Sequence, residues 1–300
     1  MRRIIIIVIA GFVFFSCEKD IILDFHKAED SLCVNSILEA GSKSITVFIS
    51  KVQSVNNLDH IKFIDHADIE IKKDDVLLTG VTYVGNGKYI LNHSPEEGSE
   101  YKIKVRADGY KTLSAKTTVP LKSMAEVSFE RDTIYDPSWA KGYYIQVRLL
   151  VHLNDQPSKD FYWFIKGTMH NAGEVPYGSF GISYHTDILL FDDFNRYYNQ
   201  TNNFPFTNYE YIGALRLDDE NFQNKNLSFS LSTGKQPTLF IVNADQHFDR
   251  YYKSSIKQFL TYEYDQLPVF EPVKIYTNVE NGYGIFGSVS ILKFYFNENL

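Results

Sequence analysis

Cysteine, tryptophan, methionine and proline are scarce in this sequence, which contains 2 Cys, 2 Trp, 3 Met and 9 Pro in 300 residues. The two cysteines, Cys17 and Cys33, are too few for the disulfide framework that holds small secreted domains together. The fold therefore depends on a hydrophobic core, and hydrophobic residues make up 44% of the chain, which is enough to build one. We expect Cys33 to be a small residue of that core.

Positive charge is also in short supply. The sequence has 30 Lys and Arg against 37 Asp and Glu, which gives a formal net charge of −7 at pH 7. An acidic chain is repelled by nucleic acid and by an anionic membrane surface. We therefore expect neither as a binding partner.

Recognised catalytic motifs are absent. The sequence has no His-Glu-x-x-His, no Gly-x-Ser-x-Gly, no Cys-x-x-Cys and no dinucleotide fingerprint between a strand and a helix. These absences leave metal-dependent and triad hydrolysis without support. We therefore expect a protein that is not an enzyme and that uses no cofactor or metal ion.

Two groups of acidic side chains leave other chemistry open. Asp192-Asp193 and Asp218-Asp219-Glu220 offer carboxylates to calcium or to glycoside hydrolysis, and solvated loop charge is the simpler explanation of both. A third group, His60, Asp65, His66 and Asp68, could in principle gather a cation, but the spacing of its two His fits no standard metal site.

The N-terminal apolar run is too short to cross a bilayer. Two arginines precede the run Ile4 to Phe15, and Ser16-Cys17 follows it. A membrane-spanning helix needs about 20 apolar residues. A basic start, a short apolar run and a small residue before cysteine are instead typical of a lipoprotein signal peptide. We predict a signal peptide over residues 1–16 and acylation of Cys17 with fatty acids such as palmitate; the alternatives are a buried core strand or an uncleaved anchor.

The predicted acyl chains set the expected location. Two or three chains on Cys17 would hold the protein at a membrane surface, because each buried methylene adds about 0.8 kcal/mol. Residues 17–30 would then form an N-terminal tether. Glu18-Lys19-Asp20 resembles the acidic export tag of Bacteroides-group lipoproteins. We expect a lipid-anchored protein of the cell outer membrane that is exposed at the cell surface.

Aromatic residues are abundant, with 21 Tyr and 23 Phe. Both types fit the half-buried surface of a β-strand. Several segments alternate apolar and polar residues, among them Ile45 to Ser50, Ala67 to Lys72 and Tyr101 to Ala107. Two-faced strands of this kind are typical of antiparallel sheets. The sequence therefore predicts a mostly β fold.

Residues 31–120 are predicted to form a small immunoglobulin-like β-sandwich. Six or seven short strands with turns between them give the pattern of such a fold. Asn86-Gly87 separates two of the strands and predicts a tight hairpin, because both turn positions need positive φ. Pro120 marks the end of this domain.

Residues 121–300 are predicted to form a larger antiparallel β domain. Its strand signals are the alternating segments 145–153 and 227–232 and the apolar runs 161–165 and 238–242. One segment has helical spacing instead, and it predicts a helix near 246–264 with Asp245 as its N-cap.

The interval from Gly167 to Leu217 has little periodicity and many aromatic residues. Loops of this length are usually functional or disordered. Aromatic side chains there can contact a ligand or a partner protein, since Tyr offers a large contact area at low entropic cost. The alternative is that they cap the ends of the sandwich as a satellite core. The candidate contact residues are Tyr197, Tyr198, Phe204, Phe206, Tyr209 and Tyr211.

The segment Phe270 to Gly287 resembles the closing motif of a Bacteroidota lipoprotein family, the one known as domain of unknown function 4249. Asn281-Gly282 within it is a turn signal, and a terminal hairpin is the plain structural expectation. Gly284 and Gly287 would allow a close backbone approach or a bulge. Other matches to the family are the lipobox cysteine, Val34-Asn35, Gly87-Lys88-Tyr89, Thr118-Val119-Pro120 and Asp218 to Phe222.

The resemblance implies a role at a transporter. Such proteins are similar to accessory lipoproteins of TonB-dependent outer-membrane β-barrel receptors, and their N-terminal part is similar to a carboxypeptidase-regulatory or transthyretin-like sandwich. The implied activity is the binding or delivery of a nutrient ligand such as a glycan or peptide. No family active site exists to transfer. The alternatives are a structural or assembly component of an outer-membrane complex and, less favoured, a glycoside hydrolase.

Overall fold

The computed structural model describes residues 31–52, 61–138, 140–154, 161–168, 183–185, 210–218, 226–232, 237–263 and 274–295. In the first part of the chain the strands are β1 (Leu32–Glu39), β2 (Ile45–Lys51), β3 (Asp68–Lys73), β4 (Val76–Leu78), β5 (Thr82–Gly85), β6 (Lys88–Leu91), β7 (Glu100–Arg106) and β8 (Leu113–Thr118). They are followed by β9 (Met124–Tyr135), β10 (Tyr143–Asn154), β11 (Phe161–Thr168), β12 (Ser183–His185), β13 (Glu210–Asp218), β14 (Asn226–Ser232), β15 (Pro237–Ala244), helix α1 (Gln246–Glu263) and β16 (Tyr283–Tyr295). The predicted mostly β fold is confirmed.

The strands form three sheets. The large sheet has the order β13-β11-β15-β16-β1-β2-β6-β5, the small sheet has the order β4-β3-β7-β8, and a third sheet has the order β12-β14-β10-β9. Neighbouring strands are antiparallel in all pairs described except β1 and β16.

The small sheet and part of the large sheet enclose one hydrophobic core. Alternate residues of β1 point into it, and Leu32, Val34 and Leu38 are almost fully buried. Ile71 of β3 and Val105 of β7 meet them from the small sheet. Residues 31–119 thus contain a sandwich, and their described part has eight strands where six or seven were expected. The additional short strand β4 forms a tight hairpin with β3, in which Asp74 and Asp75 have positive φ.

Cys33 lies on the other face of β1. Its neighbours Leu32 and Val34 belong to the sandwich core, so alternation directs Cys33 away from that core. Its thiol is free and only partly buried, and this burial raises its pKa. The expectation that Cys33 belongs to the hydrophobic core is therefore wrong for the sandwich core.

The predicted hairpin at Asn86-Gly87 is confirmed. It joins β5 to β6, and the two turn residues have φ of 51° and 65°. Gly87 is required for a second reason: a Cβ there would lie 2.3 Å from the carbonyl oxygen of Ile49.

The parallel pair β1 and β16 joins the two ends of the described chain. Val34 is in register with Gly284 and Ser36 with Phe286. Residues 284–290 of β16 are all buried, because the sandwich covers one face of this strand and the helix covers the other. Antiparallel pairing was expected throughout, so this pair is a correction.

The strands on either side of residue 120 share the large sheet, and a domain boundary at that point stays a prediction.

The predicted helix is confirmed as α1, and Asp245 is its N-cap. The backbone N–H of Phe248 donates to Asp245 Oδ1 over 2.7 Å. Phe248, Tyr252 and Ile256 recur at helical spacing and pack against a cluster that includes Trp163 of β11. Within the described segments, no helix combines the length and the apolar character needed to cross a membrane.

Candidate ligand-binding cleft

A cleft of about 570 Å³ lies between the outer face of the small sheet and the segment that contains the start of α1 and residues 276–280. The small sheet contributes the outward side chains of Glu70, Lys72, Lys102, Lys104, Ser114 and Lys116. The opposite wall consists of His247, Tyr276, Asn278 and Glu280. The lining thus contains four lysines and two glutamates, in a chain whose formal net charge is −7.

Three of the lysines form a row across the small sheet. Lys72 of β3 lies directly opposite Lys102 of β7, and Lys102 lies directly opposite Lys116 of β8. Like charges that face each other on neighbouring strands destabilise a sheet. The strand register therefore places three lysines side by side although their mutual repulsion destabilises the sheet.

The middle of this row is neutralised by carboxylates. Lys102 Nζ lies 2.8 Å from Asp75 and 3.1 Å from Glu100, and Glu100 also lies 3.5 Å from Lys116 Nζ. The hydrogen bonds from Lys102 lower the pKa of both carboxyl groups. Lys102 is thus part of a local ion network rather than an open binding group.

Lys72 and Lys104 make no ion pair with any residue that the structure describes. Lys104 lies opposite Glu70 in the β3–β7 register, but Glu70 accepts a 2.6 Å hydrogen bond from Arg106 instead. Arg106 also contacts Asp68 over 2.5 Å. The carboxylates of Asp68 and Glu70 are therefore occupied by Arg106, and two exposed ammonium groups line the cleft without an ion pair in the part of the chain that the structure describes.

The opposite wall carries an aromatic pair. The Nδ1 atom of His247 lies 2.8 Å from the hydroxyl of Tyr276, and the two rings stack with an interplanar angle of 11°. The guanidinium of Arg250 lies 5.7 Å from the centre of the Tyr276 ring. Desolvation lowers the pKa of His247, and the charges of Arg250 and Lys116 lower it further. His247 is therefore neutral at pH 7, and the charges of Arg250 and Lys116 make the electrostatic potential at its ring positive.

The closing segment is held in place by its own side chains and backbone. The Asn278 carboxamide accepts from the N–H of Phe286 over 3.0 Å and donates to the Phe286 carbonyl over 2.7 Å, so it imitates a neighbouring strand. The Tyr276 N–H donates to Ser254 Oγ of α1 over 2.8 Å, and Ser114 Oγ donates to Glu280 Oε2 over 2.6 Å. The wall is thus tied to β16, to the helix and to the small sheet.

The expected terminal hairpin does not form. Asn281 has φ of 59°, as the turn signal predicts, but Glu280 bridges to Ser114 of the small sheet while β16 continues in the large sheet. The turn thus connects two sheets. Gly284 allows the close approach that was expected, because a Cβ there would lie 2.1 Å from the carbonyl oxygen of Val34.

Most residues singled out by sequence lie outside the described residues. These are Cys17, Tyr197, Tyr198, Phe204, Phe206, Tyr209, Asp192, Asp193, Asp219, Glu220 and His60. Tyr211 and Asp218 lie on β13, whose backbone is described without its side chains. The proposed roles of all these residues remain predictions.

Three residues of the group considered for a cation, Asp65, His66 and Asp68, line a second cleft of about 510 Å³. Asp65 accepts a 2.5 Å hydrogen bond from the hydroxyl of Tyr83, and Asp68 is paired with Arg106. In the part of the chain that the structure describes, no three His, Cys, Asp or Glu side chains are grouped to hold a metal ion.

Comparisons with known proteins give a family and no activity. The family model described as "Domain of unknown function (DUF4249)" matches residues 18–294. A search of curated proteins finds no match. Among solved structures, a Corynebacterium diphtheriae protein described as membrane anchored aligns with 72% of this chain at 9% identity and a TM-score of 0.22. The alignment spans 55% of that protein, and similarity at this level does not indicate a shared fold or function.

Proposed function

We propose that this chain, which belongs to the family described as domain of unknown function (DUF4249), is a non-catalytic, lipid-anchored binding protein of the outer-membrane surface. It acts as an accessory to a TonB-dependent β-barrel receptor, and it binds or helps deliver a nutrient ligand. The ligand occupies the cleft between the small sheet and the closing segment.

The cleft is the observation that supports a binding role. Its volume of about 570 Å³ falls within the range of small-molecule sites, which is roughly 300–1,000 Å³. Lys72 and Lys104, which form no ion pair with any described residue, line the cleft, and their ammonium groups are available to a ligand. Its walls are tied together by Asn278, Ser114 and Ser254, so binding requires little ordering of the protein.

The anchor is the second part of the proposal. Acylation of Cys17 would attach the mature chain to the membrane through the tether at residues 17–30. The sandwich begins at Leu32, so the cleft would remain close to the membrane that contains the receptor. Substitution of Cys17 by Ala should release the protein from the envelope without changing the fold.

Complementation of a gene deletion tests the role. The strain would carry the wild-type protein, Cys17→Ala, or the double variant Lys72→Gln/Lys104→Gln, and each protein would be purified from detergent-solubilised outer membrane. We expect the wild-type protein and the cleft variant to co-purify with a TonB-dependent β-barrel identified by mass spectrometry. Only the wild-type protein should restore growth at limiting nutrient supply.

The other outcomes distinguish the alternatives. Recovery of the wild-type protein without any β-barrel would contradict the accessory role. Full growth with the cleft variant, together with loss of the receptor complex on deletion of the protein, would indicate an assembly component. Turnover of glycans by the purified mature chain, abolished by Asp192→Ala or Asp218→Ala, would indicate the hydrolase.

A further inference from the structure

The cleft also indicates the chemical class of its ligand, and this inference rests on the proposed function. We propose that the ligand is a small polyanion, with two or more carboxylate or phosphate groups, that bridges the ends of the lysine row and binds to Lys72, Lys104 and Lys116. Neither the family description nor the sequence motifs assign such a ligand.

The spacing of the row determines the size of the ligand. Neighbouring strands in a sheet lie about 4.8 Å apart, so the attachment points of Lys72 and Lys116 are separated by about 10 Å. Lys104 lies on the same face of β7 as Lys102, two residues further along the strand. The three ammonium groups therefore surround an area that suits a compact molecule with two or three negative groups.

The charge of the surrounding residues excludes a long polyanion. Asp68 and Glu70 lie on β3 beyond the row, and Asp75 lies near its middle. Glu280 stands on the opposite wall. An extended anionic polymer that continued beyond the cleft would meet these carboxylates, and it would also be repelled by the net charge of −7. A small anion avoids both.

The ion pairs inside the cleft favour the same conclusion. Lys102 is neutralised by Asp75 and Glu100, whereas Lys72 and Lys104 have no such partner among the described residues. An anion that binds to Lys72 and Lys104 supplies the ion pairs that these two groups lack among the described residues. Binding energy is therefore available to an anion and not to a neutral or cationic ligand.

His247 provides an internal reporter of binding. The charged groups around it are Arg250 on its own helix, Lys116 on β8 and Glu280 on the closing segment, and its ring is bonded to the Tyr276 hydroxyl. An anion bound near Lys116 would favour the protonated imidazole, so the pKa of His247 should rise on binding. By linkage, the affinity for the anion should increase as the pH falls through the pKa of His247.

Calorimetric titration of the purified mature chain tests the proposal. The probes are tripolyphosphate and citrate, with acetate as the monovalent control, at low ionic strength. We expect saturable one-to-one binding of at least one polyvalent probe and at least tenfold weaker binding of acetate. The double variant Lys72→Gln/Lys104→Gln should reduce the affinity at least tenfold, and the matched variant Lys43→Gln/Lys62→Gln should change it less than twofold.

Several results would overturn the inference. The first is that neither polyvalent probe binds saturably. The second is that the cleft variant and the matched variant lose the same affinity for the probe. The third is that a long sulfated polysaccharide binds more tightly than either probe. The pKa of His247 would also be measured by NMR with and without the bound probe. A pKa that does not rise on binding would overturn the inference as well. Circular dichroism of both variants checks folding, and exposed Lys→Gln changes should leave the fold intact.

The inference and the proposed function fail separately. A receptor complex and a growth defect without polyanion binding would remove only the ligand class. Polyanion binding by a protein that associates with no β-barrel would instead remove the transporter role and leave the ligand class standing.

Discussion

The hydroxyl of Thr117 donates a hydrogen bond to the carboxylate of Asp245 and so joins the last strand of the small sheet to the N-terminus of α1. Thr117 is 2% exposed. Asp245 is partly exposed as a residue, but its carboxylate points inward, where it also caps the helix through Phe248 N–H. The contact links residues that lie 128 positions apart.

Burial of the Asp245 carboxylate makes this contact sensitive to pH. Thr117 Oγ1 lies 2.7 Å from Ser288 Oγ, and Ser288 Oγ donates to the carbonyl of Thr118 over 2.8 Å. The Asp245 carboxylate accepts hydrogen bonds from Thr117 and from the N–H of Phe248, and both lower its pKa. Burial of the carboxylate has the larger effect and raises the pKa.

The first prediction concerns stability and pH. Burial raises the pKa of Asp245 from 3.8 to about 6. The folded protein therefore holds this proton between those two values while the unfolded chain has lost it. This contribution to stability is fully present below about pH 3.8 and is lost as the pH rises through about 6. From about pH 5 to pH 7.5 the loss amounts to about 1 kcal/mol.

Substitution of Asp245 by Asn isolates this effect. The amide oxygen of Asn can accept from the N–H of Phe248 and so keep the helix cap, and the side chain has no group that titrates. We expect Asp245→Asn to lose this part of the pH dependence of the unfolding free energy, measured by urea denaturation at both pH values. The exposed Asp108→Asn should behave as the wild-type protein does. An unchanged pH dependence in Asp245→Asn would show that the raised pKa of Asp245 is not its source.

The second prediction concerns the hydroxyl itself. Thr117→Val keeps the shape of the side chain but leaves Asp245 and Ser288 without their shared partner. Leaving buried polar groups unpaired costs about 1–3 kcal/mol. Urea denaturation at pH 7.5 should show a loss of this size. Thr118→Val, on the exposed face of the same strand, is the matched control and should change stability by less than about 0.5 kcal/mol.

The third prediction separates steric clash from backbone strain. Gly284 and Gly109 both have positive φ, +98° and +84°, but a Cβ at Gly284 would meet Val34 O at 2.1 Å, whereas a Cβ at Gly109 would meet nothing within 4 Å. Gly109→Ala should cost about 1–2 kcal/mol from strain alone. Gly284→Ala should cost more than about 4 kcal/mol or prevent folding, because β1 and β16 must separate. Similar losses of free energy of unfolding in both variants would show that the parallel pair tolerates the clash.

The fourth prediction concerns the strand-like amide of Asn278. Asn278→Asp keeps an acceptor for the N–H of Phe286 but loses the donor to its carbonyl. We expect a loss of about 1–3 kcal/mol in the free energy of unfolding at pH 7.5, since the added charge also lies against a backbone oxygen. Asn86→Asp is a suitable control, because Asp is accepted at this turn position. If Asn278→Asp unfolds at the urea concentration of the control, the amide is not holding the closing segment.

Local signals in the sequence were enough for much of the fold. Alternation predicted β2, β3 and β7, because one buried face requires a period of two wherever the strand pairs. Asn86-Gly87 predicted its hairpin and Asp245 its helix cap, because each depends on backbone geometry within a few residues.

The cleft could be predicted only in part. Alternation on β3, β7 and β8 places Lys72, Lys102, Lys104 and Lys116 on the outer face of a sheet, and this signal was present in the sequence. It does not reveal that three of them form a row, since the row depends on the register between strands that are distant in the chain.

The sequence by itself therefore determined which segments become strands, which becomes the helix and which side chains point outward. Only the tertiary structure decided that β16 lies parallel to β1, that the closing segment forms the second wall of the cleft, and that Thr117 meets Asp245. The physical reason is range: dihedral preferences and hydrophobic period act within a few residues, whereas these contacts join parts of the chain far apart and depend on how whole faces pack.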